Sequence, residues 1–242
     1  MNDKSRKKLD ILMTILMIVV MSYQATGNLF HEVVGVILLV LFVVHNILNR
    51  KWYKNILKGK YSGFRNMMLI INILTLIGML TAMGTGIYLS QSVFASLLGM
   101  REAYLIRPWH VAAGAWGMIL VSSHGGMHIR ISRNQKPLYL IGGILLAAFD
   151  IWAFFALDMP NRLILRDTGM YWRYSGISLF LANASMMTFF AGLAAILTSW
   201  LKRKRNKTGS NPNAPQAVLS KGTVHLLHRK LRQRQGQIFI RS

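Results

Sequence analysis

There is no cysteine among the 242 residues. Disulfides, zinc–thiolate centres, iron–sulfur clusters and covalently attached c-type haem (C-x-x-C-H) are excluded together. Acidic residues are scarce as well. Seven Asp and Glu stand against 29 Lys and Arg, a formal net charge of +22. In a soluble chain that balance would point to nucleic acid. Here the basic residues lie between and after long apolar blocks, so they read as membrane topology and contact with anionic lipid; no nucleic-acid partner is expected. A flavin- or nucleotide-binding domain is missing too. The GTG run at 84–86 follows no strand and lies inside an apolar span, so it is not a dinucleotide loop. Its small residues would instead let a helix or a flat cofactor approach the backbone.

What the chain does contain is apolar sequence in long blocks, with mean hydropathy +0.36. A bilayer crossing takes about 20 apolar residues. Six blocks meet that need, at about 9–26, 29–48, 66–89, 109–129, 138–157 and 177–201. The expected fold is all-α: a polytopic membrane bundle of six transmembrane helices. The first block follows a basic start, as in a signal peptide. Its apolar part is long, and MSYQATG is a poor small-x-small cleavage site, so it reads as an uncleaved helix. Gly27 and Asn28 mark the turn into the second block. Trp52 and Tyr53 sit in a basic loop at 50–65, as expected at an interface. Tyr171, Trp172 and Arg173 lie in the loop at 158–176.

Basic residues set the orientation. With the N-terminus inside, the inner segments hold 24 Lys and Arg and the outer loops hold 5; without the tail the split is 13 to 5. Both termini are therefore expected in the cytoplasm. Residues 1–205 read as the membrane domain, and 206–242 as a basic, peripheral tail.

The second and fourth blocks carry the chemistry. HEVVGVILLVLFVVH runs from His31 to His45, and HVAAGAWGMILVSSH from His110 to His124. Both read H-x3-G-x9-H, with Gly35 and Gly114 at matching places. Fourteen residues fall about 40° short of four helical turns and rise about 21 Å. Each helix thus carries two imidazoles on one face, one near each membrane surface. Both blocks run from outside to inside. His31 and His110 share the outer level, and His45 and His124 share the inner one.

Haem uses two axial imidazoles on opposite sides of a flat apolar ring, which fits between the helices of a bundle. Two b haems stacked across the membrane are the expected cofactors, with these four histidines as axial ligands to iron. Arg107 outside, and Arg50, Lys51, Arg130 and Arg133 inside, are placed to meet propionates. Gly35 and Gly114 lie one turn below the outer histidines, where a ring edge would press. In the competing readings the same histidines are hydrogen-bonded core residues of a membrane scaffold, or they bind or pass metal ions. Against the first, unsatisfied buried rings cost about 1–3 kcal/mol each. Against the second, no ladder of Asp, Glu, Met or Cys accompanies the histidine faces. His124 and His128, four apart, could also form a compact non-haem metal site.

His128 reads as interfacial, with ligand or quinone assistance as the alternatives. Asp150, the one acid well inside a late helix, is either a proton or quinone group or an interface residue. Glu32 reads as a solvated helix end, with a proton exit as the alternative. The 15 methionines read as core filler. His225 and His228 fall in the tail.

At these residues the chain resembles a known group. The run NLFHEVVGVILLVLFVVHNILNRKWYKN, followed by WHVAAGAWGMILVSSHGGMH, is similar to the bacterial flavinylation-associated cytochrome family, formerly described only as a domain of unknown function. More distantly it resembles cytochrome b and ferric-reductase-like membrane domains. The likeness covers about residues 9–130 and fades beyond them. It implies a four-helix, cytochrome b-like haem core in the bacterial inner membrane, with His31, His45, His110 and His124 as ligands. It also implies electron transfer from quinol or a cytoplasmic donor to an extracytoplasmic FMN-bearing protein. Such a chain is a subunit of an oxidoreductase system, with donor and acceptor as partners.

Overall fold

The computed structural model describes residues 3–56, 58, 62–98, 104–129, 137–166 and 176–209. Ten helices lie among them: α1 (Asp3–Met21), α2 (Tyr23–Thr26), α3 (Asn28–Leu48), α4 (Arg50–Asn55), α5 (Gly63–Leu89), α6 (Ala95–Leu98), α7 (Arg107–Gly126), α8 (Pro137–Ala156), α9 (Met159–Leu163) and α10 (Ile177–Gly209). No strand occurs among the described residues.

Three of these helices are long and apolar enough to cross a membrane, within Asn28–Leu48, Gly63–Leu89 and Ile177–Arg203. The sequence points to six spans; the shortfall has a physical cause. α1 opens with Lys4, Arg6, Lys7 and Lys8, which dilute its apolar stretch. α7 is built from Ala, Gly, Ser and His, yet Ala112, Ala113, Ala115, Gly117, Met118, Ser122 and Gly126 are all buried. A helix surrounded by protein does not need the apolarity that lipid demands. α5 is the reverse case, with high hydropathy and almost no buried positions.

α7 forms the axis of the bundle. Small residues let neighbouring backbones come close, the usual basis of helix association without a hydrophobic drive. A Cβ on Gly117 would touch Met79 Sδ at 3.5 Å and Met17 Cε at 3.7 Å. A Cβ on Gly126 would overlap the Ala191 carbonyl of α10. Ala115 and Met118 are fully buried at this centre.

Two local features depart from an uninterrupted reading of the chain. The first apolar block is broken at Ser22, where α1 gives way to α2. Ser22 is buried; its hydroxyl donates to Ile18 O at 2.8 Å and accepts from Asn183 Nδ2 at 3.1 Å. Gly27, at φ +80, then turns the chain into α3, a conformation that favours glycine. At the far end, α10 continues past Trp200 to Gly209. Lys and Arg are good helix formers and suit a helix C-terminus. Residues 210–242, with His225 and His228, lie outside the described residues, as do Arg130, Arg133, Tyr171, Trp172 and Arg173.

Candidate functional site

α3 and α7 run parallel across a gap, with α1 and α5 packed against both, and their histidines meet over it in two pairs. His31 faces His110 with ring centroids 6.0 Å apart and planes at 83°. His45 faces His124 at 6.4 Å and 81°. Two imidazoles held trans on one metal, with bonds of about 2.0–2.1 Å, have centroids about 6.3 Å apart. Both ring separations lie close to that spacing.

The hydrogen bonds fix which nitrogen is offered. His31 Nδ1 lies 3.0 Å from Val20 O. Val20 is in the last turn of α1, where carbonyls lack intrahelical partners. His110 Nδ1 lies 3.0 Å from Ala82 O and 3.1 Å from Thr85 Oγ1. His124 Nδ1 lies 2.7 Å from Asn72 Oδ1. His45 Nδ1 lies 2.9 Å from Asp10 Oδ1. A carbonyl or carboxylate oxygen only accepts, so each Nδ1 carries the proton. Nε2 is left with its lone pair at all four rings, as metal-binding histidines require. At His45 the Asn49 amide, 3.3 Å away, occupies that position and must turn aside for a metal.

Gly86 explains how His110 reaches the Ala82 carbonyl within α5. A Cβ there would lie 3.0 Å from His110 Cε1. The GTG run thus serves to admit an imidazole against a helix backbone.

The outer pair borders a cavity of about 340 Å³. Its walls include His31, His110, Gly35, Gly114 and several methionines, and Arg107 and Arg162 border it as well. Tyr23 leans on His31, centroids 5.2 Å apart. Arg162 belongs to α9, which Trp116 Nε1 ties to α7 by donating to Leu163 O at 3.0 Å. Glu32, at the outer end of α3, is held by hydrogen bonds. It accepts from Ser90 Oγ, from the backbone N–H groups of Gln91, Ser92 and Val93, and from Asn28 Nδ2, all within 2.7–3.1 Å. It thereby clamps the outer loop beside the cavity.

The inner pair opens to solvent on the His45 side. The His45 side chain is 26% exposed and that of Asp10 is 55% exposed. Arg50 is exposed at the start of α4, just beyond α3. His128 is exposed in the turn after α7, its ring 5.3 Å from that of His124. Asp150 stands apart from both pairs. It is 1% exposed, with Ser185 beside its carboxylate.

Reading the sequence alone singles out the four histidines, Gly35, Gly114 and Arg107. It misses Asp10, Asn72 and Arg162, and marks Gly86 only as a place of close approach to the backbone. Asn72 had a visible signal, as a lone amide in the apolar run LIINILTLIG. No group of three or more His, Cys, Asp or Glu side chains able to hold a metal ion occurs among the described residues. No family model, curated protein or solved structure matches the chain.

Proposed function

We propose that this protein is a di-haem b-type membrane cytochrome. It carries electrons across a bacterial cell membrane, from a quinol or another cytoplasmic-side donor to an extracytoplasmic flavin-bearing protein. The observation that carries this reading is the pairing of four imidazoles at two levels, each with Nδ1 bound to an oxygen, so that Nε2 is the nitrogen turned to a metal, at His45 once the Asn49 amide turns aside. A bare ion usually takes three or four protein ligands. Haem iron brings four nitrogens of its own and needs two more. Two histidines per level, with no third ligand among the described residues, favour haem over a bare ion.

His31 and His110 hold the outer group, and His45 and His124 the inner one. Haem b, when bound, supplies reversible one-electron chemistry at its iron. Arg107 and Arg162 at the outer cavity are positioned to pair with carboxylates, and Arg50 offers a cation at the inner end. Gly86 and Gly114 keep Cβ atoms out of the space beside His110 and Met21. A quinol donor releases two electrons and two protons; the electrons cross singly, and an external flavin takes up both with its own protons.

In this reading α1, α7 and α8 join the three long apolar helices as spans, making six, with both termini cytoplasmic. The 24 to 5 division of basic residues supports that orientation. The resemblance to the flavinylation-associated cytochrome family supports the choice of acceptor.

The test is an absorbance spectrum of the purified protein, oxidised and dithionite-reduced, with a pyridine haemochrome assay. We expect about two b haems per chain, one per bis-histidine level. A colourless protein returns the histidines to a scaffold or metal-ion role.

A further inference from the structure

The two levels hold the same ligands but support them differently. Outside, both Nδ1 protons go to neutral oxygens of the backbone, Val20 O and Ala82 O. Inside, His45 gives its proton to the Asp10 carboxylate at 2.9 Å, and His124 gives its own to the neutral Asn72 amide. A carboxylate on the far nitrogen makes an imidazole a stronger donor to metal. Stronger donation favours the more positive, oxidised state. From these contacts we infer that Asp10 tunes the inner site to a lower reduction potential than the outer one, so that electrons entering at the cytoplasmic face run downhill to the outside.

This rests on the reading of both pairs as haem ligands. Other features act in the same direction. The outer pair borders a methionine-rich cavity, whose apolar walls disfavour added positive charge on a metal. Arg107 and Arg162 border the same cavity and add to that effect. On the inner side the His45 ring is partly exposed to water, which stabilises the oxidised charge. The Lys and Arg side chains at the inner end oppose this. Lys7, Lys8, Arg50 and Lys51 are all exposed, however, and salt screens them. Asp10 is exposed too, at 55%, but it touches the His45 ring directly at 2.9 Å, whereas those cations do not. The transfer it favours is simple: the inner level loses one electron, the outer level gains it, and no proton leaves either histidine.

Asp10 acts through His45, so the test reads potentials. The full chain is titrated electrochemically while the α-band is followed. Wild type should show two components. His110→Ala should abolish the higher one and His45→Ala the lower one. Asp10→Asn should shift the lower component upward and leave the higher in place, while Asp10→Glu should keep it low. Should Asp10→Asn lose the inner absorbance altogether, the order of the two wild-type components decides alone. A lower component that does not move in Asp10→Asn, or that disappears in His110→Ala, overturns the inference while haem binding stands. A protein with no haem spectrum overturns both, and the initial absorbance scan distinguishes that case.

Discussion

The outer pair, His31 and His110, borders a cavity and leans on backbone carbonyls; the inner pair, His45 and His124, leans on the side chains of Asp10 and Asn72, with His45 partly open to water. Backbone acceptors hold a ring rigidly and are beyond the reach of substitution, because every residue type carries the same carbonyl. Side-chain acceptors can be neutral or charged and can change from one residue to another. Spacing along the helices is shared by both levels, so it cannot by itself make them different. Whatever distinguishes them must come from what the second nitrogen touches and from access to water.

The sharpest way to separate the levels is to remove a ligand. His110→Ala should lower the haem content from about two per chain to about one, with the inner spectrum retained. His45→Ala should do the converse, and a haemochrome assay on each variant reads both. Asn72→Leu should weaken the inner group by about 10–100-fold, since it removes the acceptor that orients His124. Haem titration into the apoprotein measures that loss, and the outer affinity should stay unchanged. No matching variant exists for His31, whose acceptor is the Val20 carbonyl.

Gly86→Leu attacks the outer level alone. Even a Cβ at this position would sit only 3.0 Å from His110 Cε1, and the longer side chain presses harder, at a cost of about 1–3 kcal/mol. Outer haem occupancy should fall and inner occupancy hold. The smallest effect is expected at Glu32→Gln. The amide keeps one accepting oxygen for the outer loop but loses the charge-assisted bonds, about 1 kcal/mol of stability. A thermal melt should show a drop of a few degrees, with both haems still bound.

The levels themselves were legible because helix geometry is local. Fourteen residues between histidines return nearly to the same face, and that is enough to predict two heights and to match His31 with His110. The acceptors were not legible. Val20 and Ala82 act through carbonyls, which no side-chain pattern reveals. Asp10 and Asn72 reach the histidines from other helices, in a register that only packing sets. Arg162 reaches the cavity from α9, a short helix in a loop without periodicity. Counting apolar blocks pointed to six spans, whereas three of the described helices carry the length and hydropathy for one. α7 falls short because its neighbours are protein, so its sequence answers to close packing of Ala and Gly and not to lipid. The role of Glu32 was hidden for a similar reason: the amides it clamps lie about 60 residues further along the chain.

The central claim is that the two levels act in series. The most direct measurement uses sealed vesicles carrying the full chain, with a quinol analogue as donor and an external flavoprotein as acceptor. Wild type should show haem reduction by the quinol and reoxidation on addition of the flavoprotein. In His31→Ala the inner haem should still be reduced, while reduction of the external flavoprotein falls to the rate of vesicles without the protein. Flavoprotein reduction at the wild-type rate in that variant would contradict the account.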